Sequence, residues 1–127
     1  MKYGYSRKIS LPFAEAVAKT KEALAAEGFG VLTEIDVKAT MKKKLNLEYG
    51  NYLILGACNP AFAHKALQAE KDIGLLLPCN VIVYEDAGAV HVSAIVPSVA
   101  MSMVDNPALV EIASEAEAKL TRAIDSI

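Results

Sequence analysis

The apolar residues of this chain arrive in short runs, and every run is cut before it grows into anything but one piece of a layered domain. The densest stretches are Leu75–Leu77, Val81–Tyr84 and Ala94–Ala100, and each is interrupted by proline, asparagine, serine or charge. All stop well short of the roughly 18 to 20 residues that a bilayer-crossing helix requires. Between them lie segments whose apolar residues recur at helical spacing. Short strands alternating with amphipathic helices point to an α+β fold in two layers. At 127 residues the whole chain, 1–127, fits a single domain able to bury one core.

Tyr3 to Ile9 alternates, with Tyr3, Tyr5, Arg7 and Ile9 on one side and Arg7 spoiling an otherwise β-favouring face. Ser10 is an expected N-cap, Pro12 and Phe13 open a helix, Phe13, Val17, Thr20 and Leu24 share its inner stripe, and Gly28 stands where a C′ residue is wanted. Phe29, Val31, Thr33, Ile35 and Val37 fall on one face of an alternating segment, with Glu34 and Asp36 opposite, which predicts a half-buried strand. Lys38 to Leu45 has the spacing of two helical turns, and Tyr52 to Ala57 is apolar on both faces, as in an interior strand. Asn59 and Pro60 form an N-cap and N1 pair opening a helix to about Lys71. An extended segment from Leu75 to Tyr84 then turns through a three-residue tip, Asp86-Ala87-Gly88, into Val90 to Val96 as a hairpin. Pro97 to Pro107 reads as the one long loop. Asp105 or Asn106 caps a last helix with Leu109, Ile112, Ala113, Ala116, Leu120, Ala123 and Ile127 along one stripe. The expected order is β-α-β-(short α)-β-α-β-β-α: an antiparallel-leaning mixed sheet of about five strands with long helices on one side.

The formal net charge of -2 gives no general attraction to phosphate backbones, and the run Lys42-Lys43-Lys44 has no aromatic platform beside it, so no nucleic-acid partner is expected. The apolar fraction, 54%, is high for a chain with no membrane segment, and burial against a second copy in a homodimer accounts for the surplus. The first residues, Met1 to Lys8, lack a continuous apolar stretch of the secretory kind, and a cytoplasmic location is the expectation.

Two cysteines without a secretion signal do not read as a disulfide framework. Cys58 ends a predicted strand just before the cap Asn59, where the positive end of a helix dipole favours a thiolate. His64 follows on that helix about one and two-thirds turns later, and Cys79 enters the next strand. If the two strands are neighbours, Cys58, His64 and Cys79 converge. Two thiolates and an imidazole suit a soft metal, Zn or Cu(I). Two adjacent thiols can cycle through a disulfide or hold a persulfide, and Cys58 with His64 as base has the makings of a nucleophile. The competing reading makes both cysteines small core residues, since free cysteine is among the most buried types.

Other residues carry weaker signals. Met101 and Met103 read as core or dimer contacts, His91 as an outward-facing strand residue, and Glu34 with Asp36 as a solvated sheet face. Gly28-Phe29-Gly30 precedes a strand, where phosphate-binding loops demand a helix start.

The strings Gly28-Phe29-Gly30-Val31-Leu32-Thr33-Glu34-Ile35-Asp36, Gly56-Ala57-Cys58-Asn59-Pro60, Ala63-His64-Lys65-Ala66-Leu67 and Gly74-Leu75-Leu76-Leu77-Pro78-Cys79-Asn80-Val81 resemble a bacterial and archaeal family, the domain of unknown function numbered 302. The resemblance runs from the opening strand through Pro97. It implies a TATA-box-binding-protein-like fold, a curved antiparallel sheet with two long helices on one side, and a homodimer. It implies no reaction, substrate or cofactor, and a fold likeness does not carry DNA binding with it. Two functions are therefore expected to compete. One is a dimeric protein with a thiol-centred site for redox, sulfur or soft-metal handling at Cys58, His64 and Cys79. The other is a non-catalytic module with structural cysteines, acting through its dimer interface or enclosing a dry apolar pocket for a small ligand, with Tyr3, Tyr5, Tyr49 and Tyr52 along its wall.

Overall fold

In the computed structural model, which describes residues 2–127, five strands form one open sheet in the order β1-β5-β4-β3-β2. The strands are β1 (Gly4–Ile9), β2 (Gly30–Asp36), β3 (Tyr52–Cys58), β4 (Cys79–Asp86) and β5 (Ala89–Ile95), and every neighbouring pair is antiparallel. The helices are α1 (Phe13–Ala26), α2 (Val37–Leu45), α3 (Pro60–Ala69), the short α4 (Pro97–Ala100) and α5 (Ala108–Asp125). The expected mixed sheet is thus wholly antiparallel. Among the described residues, no helix is long and apolar enough to cross a membrane.

One face of the sheet carries Ile9, Leu55, Val81, Val83, Val90 and Val92, which pack with Ala16 and Leu24 of α1 and Leu120, Ala123 and Ile124 of α5 into the main core. Each large aliphatic side chain buried this way contributes about 1.5–3 kcal/mol. Arg7, which breaks the apolar pattern of β1, points to the same side. Its guanidinium donates to the carbonyl oxygens of Ile124, Asp125 and Ile127 at 2.8, 2.9 and 3.1 Å. It therefore satisfies carbonyls left orphaned where α5 ends and places a cation at the negative end of the dipole.

Punctuation residues act largely as their chemistry predicts. Gly28 has φ +84 and closes α1, with its N–H bonded to Ala25 O and that of Phe29 to Leu24 O. Asn59 caps α3, Asn106 caps the start of α5 through Ala108 N–H at 3.0 Å, and Asp36 caps α2 through Ala39 N–H. Ser10 does not cap α1, which has Pro12 at its N-cap position and no side-chain cap. Helix α3 ends at Ala69, and a 3-10 turn over Lys71–Leu76 takes up residues expected to belong partly to the helix and partly to an extended strand. The hairpin tip is tighter than predicted. Asp86 pairs with Ala89, leaving Ala87 and Gly88 at φ 51 and 78, the two positive values that a two-residue type I′ turn needs. The expected loop from Pro97 holds α4 and a further 3-10 turn, Met101–Met103.

The largest departure is β2. Its ladder with β3 shifts between Val31, opposite Ala57, and Thr33, opposite Gly56, so Leu32 is an extra residue. Such a bulge reverses the side-chain alternation after it. Val31 faces the helices while Thr33 and Ile35 turn to the opposite face with Gly56 and Ile54, and Glu34 comes round to bond Lys21 of α1 at 3.0 Å. As an edge strand β2 has no buried residue, and α2 has none either. The expected half-buried strand is an exposed one.

Candidate functional site

A second, smaller core gathers Ala66 of α3, Ile73, Met101, and Leu109 and Ala113 of α5 beyond the end of the sheet. Where it meets the main core, the packing is incomplete. A half-open cavity of about 330 Å³ lies between them, with Phe29, Ala57 and Cys79 on the sheet side and Ala66, Met101 and Ala113 on the other. The space exists because α3 and α5 present alanines, Ala63 and Ala66 against Ala113 and Ala116, where leucines would fill it. Leu32, Thr33 and Leu67 complete the wall. None of the lining side chains is charged, and apart from the two thiols only Thr33 and Asn59 bring a polar group.

The sheet register explains the thiols. Ala57 sits opposite Cys79, so Cys58, the last residue of β3, lies one step beyond the Cys79 partner. Both cysteines are free, half-buried and on the cavity wall. Cys79 also lines a second, smaller depression with Leu75 and Asn80. Desolvation pushes its thiol from the ordinary 9.0 up to about 11, and the nearby Cys58 adds to the shift. At neutral pH the wall therefore presents Cys79 as an uncharged thiol. The Asn59 side chain lies close to the end of α1: a Cβ on Gly28 would lie 3.0 Å from its amide nitrogen, an approach that glycine permits. The Asn59 amide oxygen accepts from Phe62 N–H at a long 3.5 Å.

His64 is not brought to this place. Phe62, Ala63, Ala66 and Leu67 are the residues of α3 that turn to the cavity, and His64 lies off that face, exposed. The expected convergence of Cys58, His64 and Cys79 is thus reduced to the two cysteines. Among the described residues, no group of three or more His, Cys, Asp or Glu side chains is placed to hold a metal ion. A high-pKa thiol and no imidazole make a poor donor set for Zn or Cu(I), which bind thiolate sulfur.

The tyrosines expected around a pocket are elsewhere. Tyr52 stacks on Tyr84 with centroids 5.3 Å apart, and Tyr84 on His91 at 5.0 Å, in a row across the sheet face opposite the main core. Tyr49 lines a shallow depression next to that row, and the Tyr5 hydroxyl donates to Asp125. Met101 is buried beside the cavity and Met103 is exposed. Sequence reasoning assigned no functional role to Phe62, Ala63, Ala66 and Leu67 on α3 or to Ala113 and Ala116 on α5; the visible signal was that four of these six apolar positions are alanine.

The fold and cavity define a small α+β protein with a thiol-lined apolar pocket between two helices and a sheet end. The chain belongs to the family described as domain of unknown function DUF302, whose model matches residues 5–127. It is similar to an uncharacterised conserved DUF302 protein from Bacillus stearothermophilus, known from a crystal structure, at 31% identity over 98% of both chains with a TM-score of 0.92. No curated protein matches the chain.

Proposed function

We propose that the protein binds a neutral, apolar small molecule in the cavity between α3, α5 and the end of β3. The observation that carries this reading is a space of about 330 Å³ whose lining holds no charged side chain. A dry apolar cavity of about 150 Å³ accepts benzene, so a ligand of about ten to fifteen heavy atoms is the right size. Cavities of this volume with few polar groups are the usual form of small-ligand sites. The reading is favoured over soft-metal chemistry because the imidazole is absent from the wall and the Cys79 thiol stays protonated.

N-phenyl-1-naphthylamine, a neutral dye that brightens in apolar surroundings, tests the reading, since the half-open mouth leaves room for its third ring. The protein should give a saturable fluorescence rise, and Ala63→Trp, which projects an indole into the cavity from a partly exposed position, should weaken it at least about tenfold. A rise that does not saturate, or one indifferent to Ala63→Trp in a protein with an unchanged circular dichroism spectrum, rejects it.

We further infer that the protein works as a homodimer joined through its β2–α2 region. Leu32 and Leu45 are 70% and 62% exposed, and Ile35, Leu47 and Tyr49 lie exposed in the same stretch. A short helix that buries nothing gains little from propensity alone, and a second copy supplies the missing cover. Sedimentation equilibrium at tens of micromolar should give a dimer, with Leu45→Glu/Leu47→Glu shifted to monomer. A monomeric wild-type protein removes this part of the reading and leaves the cavity untouched.

A further inference from the structure

Resting on that binding reading, we propose that the cavity captures apolar α,β-unsaturated carbonyl compounds, whose activated double bond adds the thiol of Cys58. The cavity wall narrows the chemistry. It offers no carboxylate, imidazole, ammonium or guanidinium group, so it has no residue for hydrolysis by acid–base catalysis and no hard donor set. Its lining includes two cysteines, Cys58 and Cys79, set one step apart across neighbouring strands. A soft nucleophile in an apolar pocket selects an electrophile that is itself soft and apolar.

The reaction needs nothing beyond those two partners. The Cys58 sulfur forms a bond to the β carbon, the electron pair of the double bond moves toward the carbonyl, and the thiol proton ends on the α carbon. A thioether and a saturated carbonyl result, with no change of redox state and no leaving group. Cys58 is the better placed of the two thiols. It closes β3 directly before the capped start of α3, and the opening turn of that helix, at Asn59, Phe62 and Ala63, forms part of the wall. Negative charge developing first on sulfur and then on the carbonyl oxygen meets the positive end of the helix dipole. Cys79 stands on the inner wall, where burial keeps it protonated. The alanine-lined remainder between α3 and α5 takes the hydrocarbon tail.

Mass spectrometry of the intact protein, following adduct formation with 2-nonenal and with acrolein at pH 7.5, tests this. Each rate is divided by that of glutathione with the same aldehyde, which removes intrinsic reactivity. The long aldehyde should show a normalised rate at least about tenfold above that of acrolein, because only its tail gains from the cavity. Cys58→Ser, in a protein with an unchanged circular dichroism spectrum, should lose the fast adduct, and Ala63→Trp should bring the nonenal rate down to the acrolein level. Equal normalised rates in a protein that binds the dye overturn the electrophile inference and leave the binding reading standing. A fast adduct retained by Cys58→Ser, or a nonenal rate indifferent to Ala63→Trp, overturns it as well. Failure of the dye to bind at all overturns the underlying reading.

Discussion

Gly56→Val is expected to destabilise the protein by about 3 kcal/mol, at the upper end of the usual range for overpacking. Gly56 lies inside β3, paired with Thr33 on the edge strand and Asn80 on β4. A Cβ there would collide with the Thr33 hydroxyl and lie 2.8 Å from Pro78 Cγ. Threonine can rotate away, but a proline ring cannot, so the clash passes into the backbone between the 3-10 turn and β4. Glycine in a strand interior often marks such a close approach. The site is affected too, since Thr33 and Pro78 both line the cavity. Urea unfolding followed by far-ultraviolet circular dichroism measures the loss. The double variant Gly56→Ala/Thr33→Gly separates the two contacts: it should remain clearly less stable than Thr33→Gly alone, because the Pro78 contact persists. An unfolding midpoint unmoved by Gly56→Val would show that the close approach carries no energetic weight.

Local chemistry made much of this fold legible in the sequence. The Asn59-Pro60 start of α3, the capping Asn106, Gly28 after α1, and the stripe Leu109, Ala113, Ala116, Leu120 and Ala123 each rest on contacts within a few residues. The bulge at Leu32 was not legible, because alternation from Phe29 to Val37 looks the same whether or not the ladder slips. What decides it is that Gly56 opposite accommodates the Thr33 side chain, a fact about a different strand. The placement of β2 at the sheet edge is likewise a matter of topology, so a segment that reads as half-buried ends up exposed. The candidate site divides in the same way. Cys58 and Cys79 flank a cavity because β3 and β4 are neighbours, a pairing the sequence left as a condition. His64 fails to join them because helix phase, not sequence proximity to Asn59, sets its direction. The cavity itself is built from what is missing, the volume that alanines on α3 and α5 do not fill, and a sequence read one helix at a time gives no account of two helices facing each other.

Between pH 9 and 11 the wild-type protein is expected to lose about 2–3 kcal/mol of stability relative to Cys79→Ala. Burial pushes the Cys79 thiol from 9.0 in the unfolded chain to about 11 in the fold, with Cys58 contributing less. Below pH 9 both states hold the proton and the contribution is fully present. As pH rises past 9 the unfolded chain ionises while the folded one does not, so unfolding becomes easier by about 1.36 kcal/mol per unit until the folded thiol also ionises near 11. Lysine and tyrosine titrations are common to both proteins and cancel in the difference. Urea midpoints at half-unit steps from pH 8 to 11.5 give the two curves, which should run parallel below 9, the wild-type curve falling against that of the variant above it. Parallel curves throughout would mean that the cavity leaves Cys79 solvated. That would remove the reason for treating the inner wall as uncharged. The same protonation state makes a second demand: binding of a neutral dye should stay flat from pH 6 to 8, because Cys79, deep in the wall, has no charge to change there.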